Sequence, residues 1–187
     1  MEFRRPEIMA PYRQFSVLLP VSFHRKNQPG LPGHYIVYLP VTTEQARKSG
    51  VELYGLPKFL AKIVFSEDQQ VRRCRVQADG KEIITLIVDK LPGNKLQSMQ
   101  NYCYSVKADH LYRYRIKSRG VWQISQQPGG ARYQLGDHPL AARLKALNIG
   151  KLSLNHFYAP KMQSLVYLPE ALGQIADKTT DLDPGDK

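Results

Sequence analysis

Cysteine is scarce in this chain. Its 187 residues include two, Cys74 and Cys103, and neither stands in a CxxC or Cys/His spacing, which excludes a disulfide-stapled secreted scaffold and a zinc module. Free thiols in a reducing compartment, the cytoplasm, are expected. Long apolar runs are missing as well. The most hydrophobic early stretch, Phe15 to Val21, is interrupted by Pro20 and falls far short of the ~20 residues a membrane-spanning helix requires, so no membrane partner is expected. GxSxG, HExxH, P-loop and dinucleotide-binding glycine patterns are all absent. The five histidines, His24, His34, His110, His138 and His156, lie scattered without metal-ligand spacing. Neither a metal nor another cofactor is therefore expected.

What the chain does have is base in excess of acid: 27 Lys+Arg against 16 Asp+Glu, a formal charge of +11. Such a charge draws anions, and phosphate neutralisation by Lys/Arg supplies most non-specific nucleic-acid binding. Its distribution argues for something simpler. The densest cluster, Arg113, Arg115, Lys117 and Arg119, alternates with Tyr112, Tyr114, Ile116 and Ser118, so a strand would carry the cations on one face and mostly apolar residues on the other. A solvated basic face is the leading reading, attraction of an anion the second, and nucleic acid is not the expected partner. Arg72, Arg73 and Arg75 cannot all share one strand face and add little to it.

Length and composition fit one domain over residues 1–187 with a real core, since about 70% of the unfolded surface is buried at roughly this size. Residues 1–11 read as an irregular arm and 178–187 as a disordered polar tail. Short Val/Leu/Ile/Tyr-rich runs at Phe15 to Phe23 and Tyr35 to Val41, parted by a Pro/Gly-bearing loop, predict two strands. Thr42 or Thr43 would cap a helix of one or two turns ending at Gly50. Phe59 to Phe65 predicts a strand, and Val71 to Ala78 with Lys81 to Val88 a hairpin turning on Asp79-Gly80. Further strands are expected at Tyr102 to Val106, Leu111 to Lys117 and Val121 to Ser125, with sharp turns at Gly120 or Gly129-Gly130. Pro139 to Leu147 and Pro169 to Ile175 carry helical spacing, and Asp137-His138 reads as a turn or helix cap rather than an acid/base pair. Seven or more strands, few short helices and no βαβ rhythm give a mainly antiparallel β barrel or sandwich.

One segment has chemical interest: Glu52-Leu53-Tyr54-Gly55-Leu56-Pro57-Lys58-Phe59-Leu60-Ala61-Lys62-Ile63. Lys58 sits among apolar neighbours. Desolvation favours the neutral amine and lowers its pKa from about 10.4, and a neutral amine can attack a ketone to form an imine. The competing reading is a strand-edge lysine whose ammonium snorkels to water.

This segment resembles the active-site stretch of the acetoacetate decarboxylase family, with Lys58 on the Schiff-base lysine. The likeness extends to Leu19-Pro20-Val21-Ser22-Phe23, to Gly33-His34-Tyr35 and the strand after it, to Gly130 through Leu140, and to Leu168-Pro169-Glu170-Ala171, covering roughly Tyr12 to Ile175. The resemblance implies a closed, mainly antiparallel β-barrel with a buried pocket, a homo-oligomer, and cofactor-free chemistry on a small β-keto acid or ketone. Activation of that lysine by desolvation or a neighbouring cation is a known property of acetoacetate decarboxylases, not something the spacing shows. The chain departs from the family pattern at several points. Phe59 replaces a second lysine, Gln14 stands where a Tyr-x-Glu segment has its glutamate, and Val51 replaces an arginine before Glu52. Arg4, Arg5, Glu2 and Glu7 are the substitutes available for pocket residues that longer members contribute. Catalysis is thus expected at Lys58, with Gln14, Glu52, Phe59, Tyr12 and Tyr54 as substrate-binding candidates. The alternative is a catalytically silent barrel that binds a small carbonyl or apolar ligand.

Overall fold

In a computed structural model, residues 2–3 (backbone), 10–24, 30–93 and 95–174 are described. The chain is mainly β. Strands β1 (Glu2–Phe3), β2 (Tyr12–Arg13), β3 (Val17–Phe23) and β4 (Leu31–Val41) precede helix α1 (Glu44–Tyr54). After it come β5 (Lys58–Leu60), β6 (Lys62–Glu67), β7 (Val71–Ala78), β8 (Lys81–Asp89), β9 (Leu96–Lys107), β10 (His110–Ser125) and β11 (Ala131–Leu135). Helix α2 (Pro139–Ala146), β12 (His156–Val166) and β13 (Glu170–Gln174) close the order. No helix among the described residues is long and apolar enough to cross a membrane.

One sheet runs β12-β10-β9-β4-β3, with β13 also paired to β10 and β5 to β4; a second runs β11-β8-β7-β6. Pairings are antiparallel except β4 with β5 and β4 with β9. The closed barrel expected from the family resemblance is not found: among the described residues, neither sheet's ladder returns on itself. The reason lies at two corners. β5 follows β4 for three residues, and Ala61 N still donates to Val41 O (2.9 Å), but the chain then leaves to pair β6 with β7. At the other corner an isolated bridge between Arg132 and Leu152 stands in for a ladder. The two sheets are thus joined at corners rather than by continuous pairing.

Several expectations are corrected. The helix runs past Gly50 to Tyr54. Thr43 is its N-cap, and Gly55, at φ 60°, is the left-handed C-cap, its N–H returning to the last carbonyls. The single strand expected over Phe59 to Phe65 is split at Ala61. Gly120 is no turn but lies inside β10, where an added Cβ would stand 2.3 Å from Lys161 O and 2.7 Å from Met162 Cα of neighbouring β12. The helix expected over Pro169 to Ile175 is not found in its described part: Glu170 to Gln174 pair with Arg113 to His110, and that ladder prevails over the propensity of a segment too short to hold a helix alone. The β1–β2 pairing gives the expected irregular arm a short ordered element; residues 4–9, with Arg4, Arg5 and Glu7, and the expected tail 178–187 lie outside the described residues.

Other expectations hold. Asp79 and Gly80 both have positive φ, the two-residue turn that matches strand twist. Ala108 and Asp109 do the same between β9 and β10, without the glycine that would have announced it. His138 caps α2, its Nδ1 accepting from Leu140 N at 3.1 Å. The basic residues of β10 alternate with buried Tyr114 and Ser118.

Because the atoms crowding Gly120 are backbone, a side chain there can be accommodated only by parting β10 from β12. Gly120→Val should therefore lose on the order of 3 kcal/mol, read as a lower denaturation midpoint at unchanged slope.

Candidate active site

The site is built where β5 meets α1. Residues Ala46, Gly50 and Tyr54 recur every four positions and so form one stripe of α1; Ala46 and Gly50 are buried. Lys58, opening β5, lies along that stripe. Its aliphatic chain occupies the space beside Gly50: a Cβ on Gly50 would come within 2.3 Å of Lys58 Cδ and 2.9 Å of Nζ. Nζ donates to the Ala46 carbonyl at 3.2 Å and stands 5.4 Å from the centre of the Tyr12 ring. Tyr12 itself packs with Val41 and Ala46.

β4 supplies the wall behind Lys58. A bulge near Val37 shifts its pairing with β3, so that Ile36 and Leu39 both face one core with Leu56, Cys103 and Tyr114. Leu39 pairs with Lys58, which places the amine at the margin of that core. Tyr54 packs edge-on against Tyr114 at 5.7 Å.

The electrostatic consequence follows from burial. Desolvation alone brings the Lys58 ammonium down from its usual 10.5 to about 8. No carboxylate pairs with it among the described residues. Burial, with Tyr54 as a second cause, pushes the Tyr12 phenol up to about 12, and burial raises Tyr114 as well. At neutral pH these phenols keep their protons. Burial also lifts Cys74 and Cys103 to about 11, which leaves both as inert thiols rather than nucleophiles. No cluster of His, Cys, Asp or Glu among the described residues could hold a metal.

Of the candidates named from the sequence, the structure brings Lys58, Tyr12 and Tyr54 together. Gln14 is half-buried, bridges Val41 through the backbone, and leaves the strand on the same side as Tyr12, two residues away. Glu52 is on the exposed side of α1, where its backbone carbonyl accepts from Lys107 Nζ (2.6 Å). Phe59 points oppositely to Lys58, into the second core of Ile63, Cys74, Val76, Ile83 and Ile84. Sequence reasoning missed Gly50 and the Ala46 carbonyl. Their signal was the four-residue spacing Ala46-Gly50-Tyr54, hidden once the helix was ended at Gly50.

A mainly β protein with a half-buried lysine amine between a helix and a parallel strand pair is the class so defined. Within that class, the family profile for acetoacetate decarboxylase matches residues 1–163, and the chain belongs to that family. No curated protein matches its sequence. Among solved structures it is similar to an acetoacetate decarboxylase at 18% identity and TM-score 0.65, covering 89% of this chain and 70% of that one. The acetoacetate decarboxylase of Legionella pneumophila gives 13%, 0.65, 88% and 68%. The enduracididine biosynthesis enzyme MppR, solved with the condensation product of pyruvate and imidazole 4-carboxaldehyde, gives 13%, 0.60, 88% and 67%. At these identities the likeness is one of fold.

Two tests address the amine. Gly50→Ala should leave the helix intact, since alanine is the better helix former by up to about 1 kcal/mol, while its methyl displaces the Lys58 side chain; lysine NMR should then show the amine pKa moving back toward 10.5. Lys58→Met should stabilise the fold. Its folded-state pKa lies below the unfolded value, so the charged form costs stability, on the order of 3 kcal/mol. That cost is fully present below about pH 8 and fades as pH rises toward 10.5. The variant's gain in melting temperature should therefore be constant from pH 6 to 7 and shrink by pH 10.

Proposed function

We propose that this protein is a lyase-type enzyme in which the Lys58 amine condenses with the ketone of a small β-keto acid. The observation that carries the reading is the amine itself: desolvated, without a carboxylate partner among the described residues, and held by a carbonyl and an aromatic ring. With a pKa of about 8, about a fifth of it is neutral near pH 7.4, against roughly one part in a thousand for an unperturbed lysine. Family membership and the pyruvate-derived ligand in the MppR structure support a keto-acid substrate class.

In this reaction the neutral amine adds to the carbonyl carbon and water leaves, giving a protonated imine. The bond to the carboxylate carbon then breaks, its electron pair flows into the C=N⁺ group, and carbon dioxide departs. The resulting enamine takes a proton at carbon, and water hydrolyses the imine to release a ketone and restore Lys58. Tyr12 and Tyr54 would donate hydrogen bonds to substrate oxygens. Gln14 can hydrogen-bond but moves no proton, so the proton delivered to carbon comes from water. The net charge of +11 favours approach of an anionic substrate. Self-association belongs to the same reading and would cover leucines such as Leu154 and Leu168, 82% and 77% exposed.

Incubation with a panel of small keto acids followed by borohydride should yield one adduct, located by peptide mass spectrometry at Lys58 and lost in Lys58→Ala. Its rate should rise about tenfold per pH unit toward pH 8 and level off above it. No adduct with any member would leave a catalytically silent, ligand-binding protein as the reading.

A further inference from the structure

The excess positive charge does not surround Lys58. It gathers on the other side of the first sheet. On β10, Arg113, Arg115, Lys117 and Arg119 project from one face. The register brings Tyr102, Gln100 and Ser98 of β9 and Leu165, Gln163 and Lys161 of β12 beside them. A shallow hollow of about 600 Å³ opens along this stretch of the three strands, lined by Lys117, Arg119, Ser98, Gln100, Gln163 and Leu165 and by the residues between them, Met99, Ser118 and Ser164.

The chemistry of this hollow is one-sided. Its lining contains two cations, neutral amide and hydroxyl groups, and no acid. The acid nearest along the face, Glu170, is already tied to Arg113 at 2.6 Å. Further along, the Arg115 guanidinium lies 3.9 Å and the Lys117 ammonium 5.7 Å from the centre of the Tyr167 ring. Lys117 and Arg119 are about 7 Å apart along the strand, and neighbouring strands stand about 5 Å away, so both cations and the flanking donors lie within side-chain reach of one anionic group seated in the hollow. Together they offer more N–H and O–H donors than the two oxygens of a carboxylate can use, and they suit the three oxygens and near-double charge of a phosphate.

We propose that this face is a phosphate-binding site, separate from the Lys58 site and independent of the reaction assigned to it. Its ligand is a phosphate ester or anhydride carrying two or more negative charges. The sequence had disfavoured a polyanionic partner because spacing along one strand cannot reveal that the strands on either side add donors and no acids to the hollow.

The probes are pyrophosphate, for a free ligand, and a short single-stranded thymidine oligomer, for a polymer. Binding of each is measured by calorimetry near physiological salt. At least one should bind, and Lys117→Glu/Arg119→Glu should weaken it by about tenfold or more. The charge-matched pair Lys62→Glu/Lys81→Glu, on the second sheet, should change it less than twofold. Pyrophosphate binding would identify a free phosphorylated ligand; oligomer binding alone would identify a polymer. Lys58→Met should bind the same probe unchanged, and Lys117→Glu/Arg119→Glu should keep keto-acid trapping, which separates the two sites. Failure of both probes to bind, or equal weakening by the two charge-reversal pairs, would overturn the proposal and leave the face merely solvated.

Discussion

Holding an ammonium partly out of water with no counter-ion among the described residues is the demand that organises this fold. Desolvation of a charged group is costly unless the group can shed its charge, and Lys58 is the lysine that pays through a lowered pKa. Everything around it serves to keep water off the methylene chain while leaving one carbonyl for the amine. α1 must approach β5 closely, and only a residue without Cβ at position 50 permits that approach. The helix must also end within three residues of Lys58, which Gly55 achieves by turning left-handed and returning its N–H to the final carbonyls. The parallel pairing of β5 with Leu39 to Val41 fixes the depth at which the lysine enters.

Position 59, where the resemblance implies a second lysine, faces a different environment from Lys58. Strand alternation sends residues 58 and 59 to opposite sides, and Phe59 meets Ile63, Cys74, Val76, Ile83 and Ile84. A lysine at 59 would have to place its charge against that apolar set at a cost no pairing there offsets. With Phe59 the second core gains an aromatic ring, and the shift of Lys58 rests on burial alone.

Legibility in the sequence followed the range of the interactions. The Asp79-Gly80 hairpin, the Thr43 cap and the alternation on β10 are written in adjacent residues, and all three are found. Local signals misled where a tertiary contact decided the outcome. Gly50 reads as a helix end, but its missing side chain makes room for Lys58. Gly120 reads as a turn, yet it admits the backbone of β12. Pro169 to Ile175 has helical spacing, yet Glu170 to Gln174 are captured by β10. Lys58 was legible as a lysine in an apolar stretch, but the groups that enclose it, Tyr12, Ala46 and Gly50, are remote in sequence, and the last two were not. Glu52 shares its segment but not its environment, since a helix turns it to solvent; spacing alone cannot tell those two cases apart.

Two ways of using positive charge are thus kept apart by the thickness of one sheet. On the inner side, Tyr114 and Cys103 of β10 and β9 help form the dry margin against which Lys58 loses its charge; on the outer side, Lys117 and Arg119 of β10 hold their cations exposed. A shift made by desolvation is not screened by salt, whereas attraction by exposed cations is, within a Debye length of about 8 Å at physiological ionic strength. A lysine activated by a neighbouring cation would have coupled these behaviours, because every ion that weakened capture of an anion would also have returned the amine toward its ordinary pKa. With Phe59 in place of that cation the two are uncoupled: ionic strength can modulate what the basic face attracts while the protonation of Lys58 stays set by packing. The strand period of two, which first distinguished these residues in the sequence, is what makes that separation possible.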